Sequence, residues 1–425
     1  MLSEAKNKQI TQVGPGTPMG QYLRRYWHPI AAASEFDNKE VKAVRLLGEN
    51  LVLYKDMSGT YGLLDRHCPH RRADLSYGFV EKVGLRCNYH GWLINEKGRC
   101  IEQPYDDTAN PNGTMKEKVR QPAYPVREVA GLLFAYMGPQ PAPELPIWEP
   151  FTWKHGFIEI VTSDIPCNWF QCQENSCDPV HFEWMHDNWS IRQRGDTTPY
   201  SPAHLKVAFD EFEHGFTYRR VREGQNDDSP MWTTGRVALW PNGFYLGSHF
   251  EWRVPVDDEN TLSITWFFTK LPAESQKNSL PEIHAWHAPI KQADGRWITS
   301  HIINQDIVAW VGQGVVSDRT KENLGASDRG IAMIRNRFFE EMDAVAAGKD
   351  PKGTIRDPEA AKCVPLPIAE PQLYKTIVPR DEWVSNGYFK RRLKEFPWHY
   401  GQPPEIIDAF RKAVGLDADG QPYKG

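Results

Sequence analysis

Apolar and polar positions alternate through most of the first third of the chain. VKAVRLLG, NLVLYKD and GLLDRH set β-branched and aliphatic residues at alternating or adjacent places around the turn MSGTYG, so residues 41–66 predict short strands. The pattern runs on to about residue 140 through RQPAYPVREVAGLLFAYMG. QPAPELPIWEP then sets four prolines in a stretch that neither a helix nor a central strand tolerates. A domain boundary is expected there, giving units 25–142 and 143–425, with 1–24 packing on the second. Residues 166–186 and 300–345 carry helical spacing, whereas 215–270 holds strands such as RVALW, GFYLGSHFEW and SITWFFTK. An α+β domain follows. Beyond 350 the chain reads as irregular and proline-rich, with one last short helix in WHYGQPPEIIDAFRKAVG.

VGPGTPMG has glycines at 14, 16 and 20, yet no strand precedes it, Pro15 and Pro18 sit inside it, and no Gly-Lys-Ser/Thr ending follows. It predicts a turn, not a phosphate loop. With 425 residues, 40% of them hydrophobic, the chain can fill two cores. A net charge of −5 without long like-charged blocks gives no nucleic-acid footprint and no polybasic anchor. No apolar run approaches the ~20 residues that span a bilayer, and MLSEAKNKQI lacks the apolar core of a secretory signal. A cytoplasmic protein is expected. Its seven cysteines, an odd number irregularly spaced, are then free thiols or metal ligands.

Four such ligands stand together in HCPHRRADLSYGFVEKVGLRCNYHGW: Cys68 and His70 on one loop, Cys87 and His90 on another, sixteen residues later. Two thiolates and two imidazoles suit a [2Fe-2S] cluster with cysteines on one iron and histidines on the other. A structural zinc ion takes the same donors. Zinc fingers, however, place both cysteines before both histidines and follow them with a helix. Here each loop gives one of each.

Further on, NWFQCQENSCDPVHFEWMH carries Asp178, His181 and His186 on a predicted helix. Asp178 and His181, three apart, share a face. His186 follows His181 at five, so convergence of both rings needs a wide or broken turn. Oxygen-activating Fe(II) takes two histidines and a carboxylate on one triangular face. In HIINQDIVAWVGQG, Asp306 falls among Ile303, Ile307 and Trp310 at helical spacing, and a carboxylate on an apolar face needs a partner. The alternatives are ordinary half-buried histidines, and an aspartate that accepts from a core arginine, tyrosine or tryptophan.

The Cys68/His70 and Cys87/His90 loops resemble the Rieske family. Ala73 and Tyr89 stand where its high-potential members carry two extra cysteines, so the ferredoxin and oxygenase branch is the better match. Taken with QENSCDPVHFEWMH, LRRYWHP and QDIVAWVGQGVVSDRTKENLGASDRGI, the chain resembles, over nearly its whole length, the α subunits of Rieske non-haem iron ring-hydroxylating oxygenases, in their phthalate and chlorobenzoate dioxygenase branch. That resemblance implies an N-terminal all-β Rieske domain followed by an α+β catalytic domain, an antiparallel sheet covered by helices in a helix-grip, START-like arrangement. It implies a [2Fe-2S] cluster on Cys68, His70, Cys87 and His90, and a mononuclear iron on His181, His186 and Asp306. It also implies a homotrimer or hexamer, in which Asp178 bridges His181 to His90 of the partner subunit and carries electrons between them.

The implied partners are an NAD(P)H-dependent reductase, with or without a separate ferredoxin, together with O₂ and a small aromatic substrate. The product is a dihydrodiol, a monohydroxylated ring, or a demethylated phenol from a phthalate-, benzoate- or lignin-derived methoxylated biaryl acid. Trp240, Phe244, Tyr245, Phe250, Trp252, Trp266, Phe267 and Phe268 are expected to divide between core and pocket wall. Arg192, Arg194 and Arg236 are candidates for binding a substrate carboxylate. Two other classes stay open. An electron-transfer protein would hold only the cluster irons, and a zinc-stapled binding protein would be colourless instead of red-brown.

Overall fold

The computed structural model describes residues 1–278, 282–369 and 379–424. Residues 27–136 supply three antiparallel sheets, and the strand Glu49–Lys55 shows how they pack. Leu51 and Leu53 enter the core shared with the rest of the chain, while Val52 and Tyr54 enter a smaller core with Cys68, Leu75, Cys87 and Trp92. Because successive side chains point to opposite faces, this strand is buried on both and serves two cores at once. The VGPGTPMG stretch forms the expected turn. Gly16 adopts φ +84, and Thr17 accepts from Gly20 N–H to cap the helix Pro18–Leu23, with Pro18 in its first turn.

An eight-stranded sheet follows, ordered 204–212, 215–222, 236–239, 243–245, 249–255, 261–270, 156–165 and 283–287. It departs from the expected antiparallel sheet at one edge, where Ile283–His287 runs parallel to Gly156–Ile165. Period-2 alternation sorts the aromatic residues. Phe250, Trp252, Trp266 and Phe268 join the core toward the N-terminal sheets, whereas Phe267 faces the opposite core with Ile303, Ile307 and Trp310. The second core sits under the helix Ile302–Gly312 and the C-terminal helices Gly387–Lys394 and Pro404–Val414.

Two helical expectations need correction. The 166–186 stretch is broken after Trp169–Ser176, and 300–345 divides into Ile302–Gly312 and Arg329–Ala346, because Gly312 and Gly314 interrupt it. The tail beyond 350 is also more helical than its prolines suggest. Pro358–Ala361 and Arg380–Ser385 start at or just after prolines, where a missing N–H costs nothing; residues 370–378 lie outside the described residues. No described helix is long and apolar enough to cross a membrane.

Glu174 pins the Trp169–Ser176 helix. Its carboxylate accepts from Arg319 at 2.6 Å and from Arg335 at 2.6 Å. Burial opposes its ionisation, and the two guanidiniums overcome that, holding the carboxyl below its usual range. Arg335 also pairs with Glu322, but Arg319 has no second carboxylate among the described residues. Glu174→Ala therefore strands a fully buried guanidinium and is expected to cost about 3–5 kcal/mol, measured as a lowered thermal unfolding midpoint.

Candidate metal centres

The two Cys-x-His loops are short closures between strands. Cys68 N–H donates to Ala73 and Arg72 N–H to Cys68; Cys87 N–H donates to Trp92 and Gly91 N–H to Cys87. Gly91 sits at φ +73 with Pro104 packed where a Cβ would be, so the second loop needs glycine there. These closures bury Cys68 and Cys87 and leave His70 and His90 exposed, their rings 4.6 Å apart, with His70 stacked on Trp92. Burial pushes the Cys68 thiol up to about 12, so only a bound cation would hold it as thiolate at neutral pH.

A single tetrahedral zinc would draw its four donor atoms to within about 4 Å of one another. Among the described residues, the only group of three His, Cys, Asp or Glu donors that lies this close, within 4.8 Å, is elsewhere. Two buried thiols and two exposed imidazoles, with each loop giving one of each, suit a two-iron cluster with cysteines on one iron and histidines on the other.

The compact group is His181, His186 and Asp306. Asn168 caps the Trp169–Ser176 helix, which ends at Cys177 ahead of Pro179. Asp178 then accepts Val180 N–H at 2.7 Å and restarts the chain. Phe182–Asn188 is a π-helix, with Trp189 N–H bonded to Trp184, five residues back. The wide turn inferred from the five-residue spacing is thus present, and it sets the two imidazoles edge to face, ring centroids 5.2 Å apart. Glu183 anchors it by accepting from His204 N–H at 2.6 Å and His204 Nδ1 at 2.7 Å.

Asp306 is buried on Ile302–Gly312, as its spacing predicted. Its Oδ1 lies 3.6 Å from His181 Nε2 and 3.3 Å from His186 Nε2, and accepts from Asn175. Gln305, which the sequence reading missed, accepts from His186 Nδ1 at 3.0 Å while its own Nε2 donates to Ser190 and Thr299. That fixes the proton on Nδ1. His186 Nε2 is left buried, facing Asp306 Oδ1 but without a hydrogen-bond partner among the described residues, as a metal ligand requires. Asp178 Oδ2 stands 3.7 Å from His181 Nδ1, on the far side of that ring from Asp306. Burial opposes ionisation of Asp178, but His181 and nearby backbone N–H groups hold its carboxyl below the usual range.

The three residues border a small inner cavity that also meets Phe244, Leu246, His249, Glu251, Arg253 and Trp398. His186 and Ile302 also line a wider cleft with Arg194, His301 and Arg391. Of the eight aromatics proposed for the wall, only Phe244 borders the inner cavity. None of the three proposed arginines does. Arg192 lies over Tyr200 and bonds backbone carbonyls, Arg194 stands in the outer cleft, and Arg236 packs over Phe182. The inner cavity's arginine is Arg253. The alternation in HFEWRVP, charged residues at every second position, was the signal for it.

Residues 26–124 match the Rieske [2Fe-2S] domain family, and residues 295–391 a family described as LigXa C-terminal domain like. The chain is 55% identical, over 100% of its length and 99% of the relative's, to the 5,5′-dehydrodivanillate O-demethylase oxygenase subunit of Sphingobium sp. (strain NBRC 103272 / SYK-6). It is 31% identical to the phthalate 4,5-dioxygenase oxygenase subunit of Pseudomonas putida, covering 90% of this chain and 94% of the other. Among solved structures, the terminal oxygenase of carbazole 1,9a-dioxygenase from Novosphingobium sp. KA1 aligns with TM-score 0.54 at 19% identity, over 78% of this chain and 96% of that one. At that identity the likeness speaks for the fold.

Proposed function

Since the chain belongs to the oxygenase components of the Rieske non-haem iron oxygenases, we propose that it is the terminal oxygenase of a system that O-demethylates a methoxylated aromatic acid of the dehydrodivanillate type. The observation that carries the proposal is the convergence of His181, His186 and Asp306 beside a pocket, in a chain 55% identical throughout to an O-demethylase oxygenase subunit. In this reading His181, His186 and Asp306 hold the mononuclear iron, and Cys68, His70, Cys87 and His90 hold the [2Fe-2S] cluster. The cluster supplies single electrons from an NAD(P)H-dependent reductase, directly or through a ferredoxin, and the mononuclear iron supplies the site of O₂ reduction.

The chain's own residues do the rest. Gln305 keeps His186 Nε2 deprotonated and aimed at the metal, and Asn175 orients the Asp306 carboxylate. Apolar walls at Phe244, Leu246, Ile302 and Trp398 exclude water from the substrate ring. We assign Asp178 to the bridge between His181 and His90 of the partner subunit, in a homotrimer or a pair of trimers. The domain division at 142/143 and a cytoplasmic location belong to the same reading.

The overall reaction is R–OCH₃ + O₂ + NAD(P)H + H⁺ → R–OH + HCHO + H₂O + NAD(P)⁺. Incubation with a reductase, NADH and a panel of methoxylated, phthalate and chlorobenzoate acids is expected to release formaldehyde in step with NADH oxidation from the methoxylated biaryl acid. Dihydrodiol formation from phthalate without formaldehyde from any methoxylated acid would place the chain with the ring dioxygenases instead.

A further inference from the structure

The inner cavity has one wall that the iron site does not account for. Along His249–Pro255, Phe250, Trp252 and Val254 point into the core toward the N-terminal sheets, so His249, Glu251 and Arg253 all point the other way. Each is at most 5% exposed, and each borders the cavity that the iron-binding triad borders. Three ionisable side chains on one buried strand face are costly, and apolar residues of similar size would pack there at no such cost.

They are joined end to end. Ser248 Oγ contacts His249 Nδ1 at 2.8 Å, His249 Nε2 meets Glu251 Oε1 at 2.9 Å, and Glu251 Oε2 accepts from Arg253 Nη2. His249 and Glu251 are therefore satisfied within the protein. Arg253 is not. Its guanidinium lies over the Trp310 ring at 4.5 Å, and its Nε and Nη1 are buried with no hydrogen-bond partner among the described residues. Buried donors of a charged group left in this state call for an acceptor from outside the chain. The neighbouring wall, Phe244, Leu246, Ile302 and Trp398, is apolar, as an aromatic ring requires.

We propose that Arg253 anchors a carboxylate of the aromatic substrate inside the cavity, with Glu251 and His249 holding the guanidinium in register. This rests on the oxygenase reading above and names the substrate feature that its site selects: a ring acid, in place of its neutral counterpart. Arg253 acts in binding and orientation, fixing which ring substituent reaches the iron, and takes no part in electron transfer.

The test uses the metal-loaded protein under anaerobic conditions, titrated calorimetrically with 5,5′-dehydrodivanillate and with its neutral, near-isosteric dicarboxamide. Wild type is expected to bind the diacid tightly and the amide about thirtyfold more weakly or worse. Arg253→Gln is expected to bring the two affinities within about threefold of each other. Arg253→Gln also leaves Glu251 without its cation. The double variant Glu251→Gln/Arg253→Gln keeps a neutral hydrogen-bonded strip and is expected to lose the preference in the same way, with iron content and visible spectrum unchanged.

Retention of the diacid preference in either folded variant, a parallel loss of both ligands, or wild type that binds neither would each overturn the anchor. Binding with the predicted ratio but no formaldehyde on adding reductase, NADH and O₂ would instead overturn the demethylase reading and leave the anchor standing.

Discussion

His181→Ala is expected to strip the mononuclear iron from the protein while leaving its red-brown cluster spectrum intact. The two sites share no residue. The cluster loops close on their own backbone bonds within 68–73 and 87–92, whereas His181 meets its co-ligands through a π-helical turn and the Ile302–Gly312 helix. Loss of groups that merely orient a ligand lowers metal affinity about 10–100-fold, so loss of one ligand of three should exceed that range and remove essentially all turnover. Iron analysis should fall from three per chain to the two of the cluster. Simultaneous loss of the visible bands would show that the ligands are wrongly divided between the sites.

Asp178→Asn is expected to keep all the iron and still lower turnover by about a hundredfold or more. Asparagine preserves the Oδ1 that accepts Val180 N–H, so the turn leading into the π-helix survives. It removes the negative charge beside His181 Nδ1, and with it the acceptor that would couple that ring to the partner's His90. The diagnostic measurement is single-turnover reoxidation of the pre-reduced cluster by O₂ with substrate bound, which should slow in proportion to steady-state turnover. A variant with unimpaired reoxidation would remove Asp178 from the electron path.

Much of the site was legible because its signals are local. The Cys-x-His pairs fix their own loops, and a spacing of five between two histidines that must converge already demands a turn wider than an α-helix. Asp306 stood out because a carboxylate at a core position of its own helix needs a reason to be there. What escaped was set by tertiary packing. Gln305 could not be told from other polar residues of its helix until His186 was seen opposite it. Arg192 and Arg194 lie near the histidines in sequence, but the continuation of the π-helical segment leaves them outside the inner cavity; Arg236 packs over Phe182, and a later strand brings Arg253 inward. The parallel edge strand was hidden for a similar reason, since direction within a sheet depends on which partner a strand finds, not on the residues of the strand.

The strand His249–Pro255 looks two ways. Trp252, on its N-terminal side, sits 6.0 Å from Phe134 of the Leu132–Tyr136 strand, and the adjoining strand is latched by Trp266 Nε1 to Ala130. The residue proposed to anchor the substrate and those packed toward the N-terminal sheets thus alternate along a single strand. One strand therefore carries both contacts to the N-terminal sheets and the buried polar face of the cavity, with successive side chains serving the two in turn.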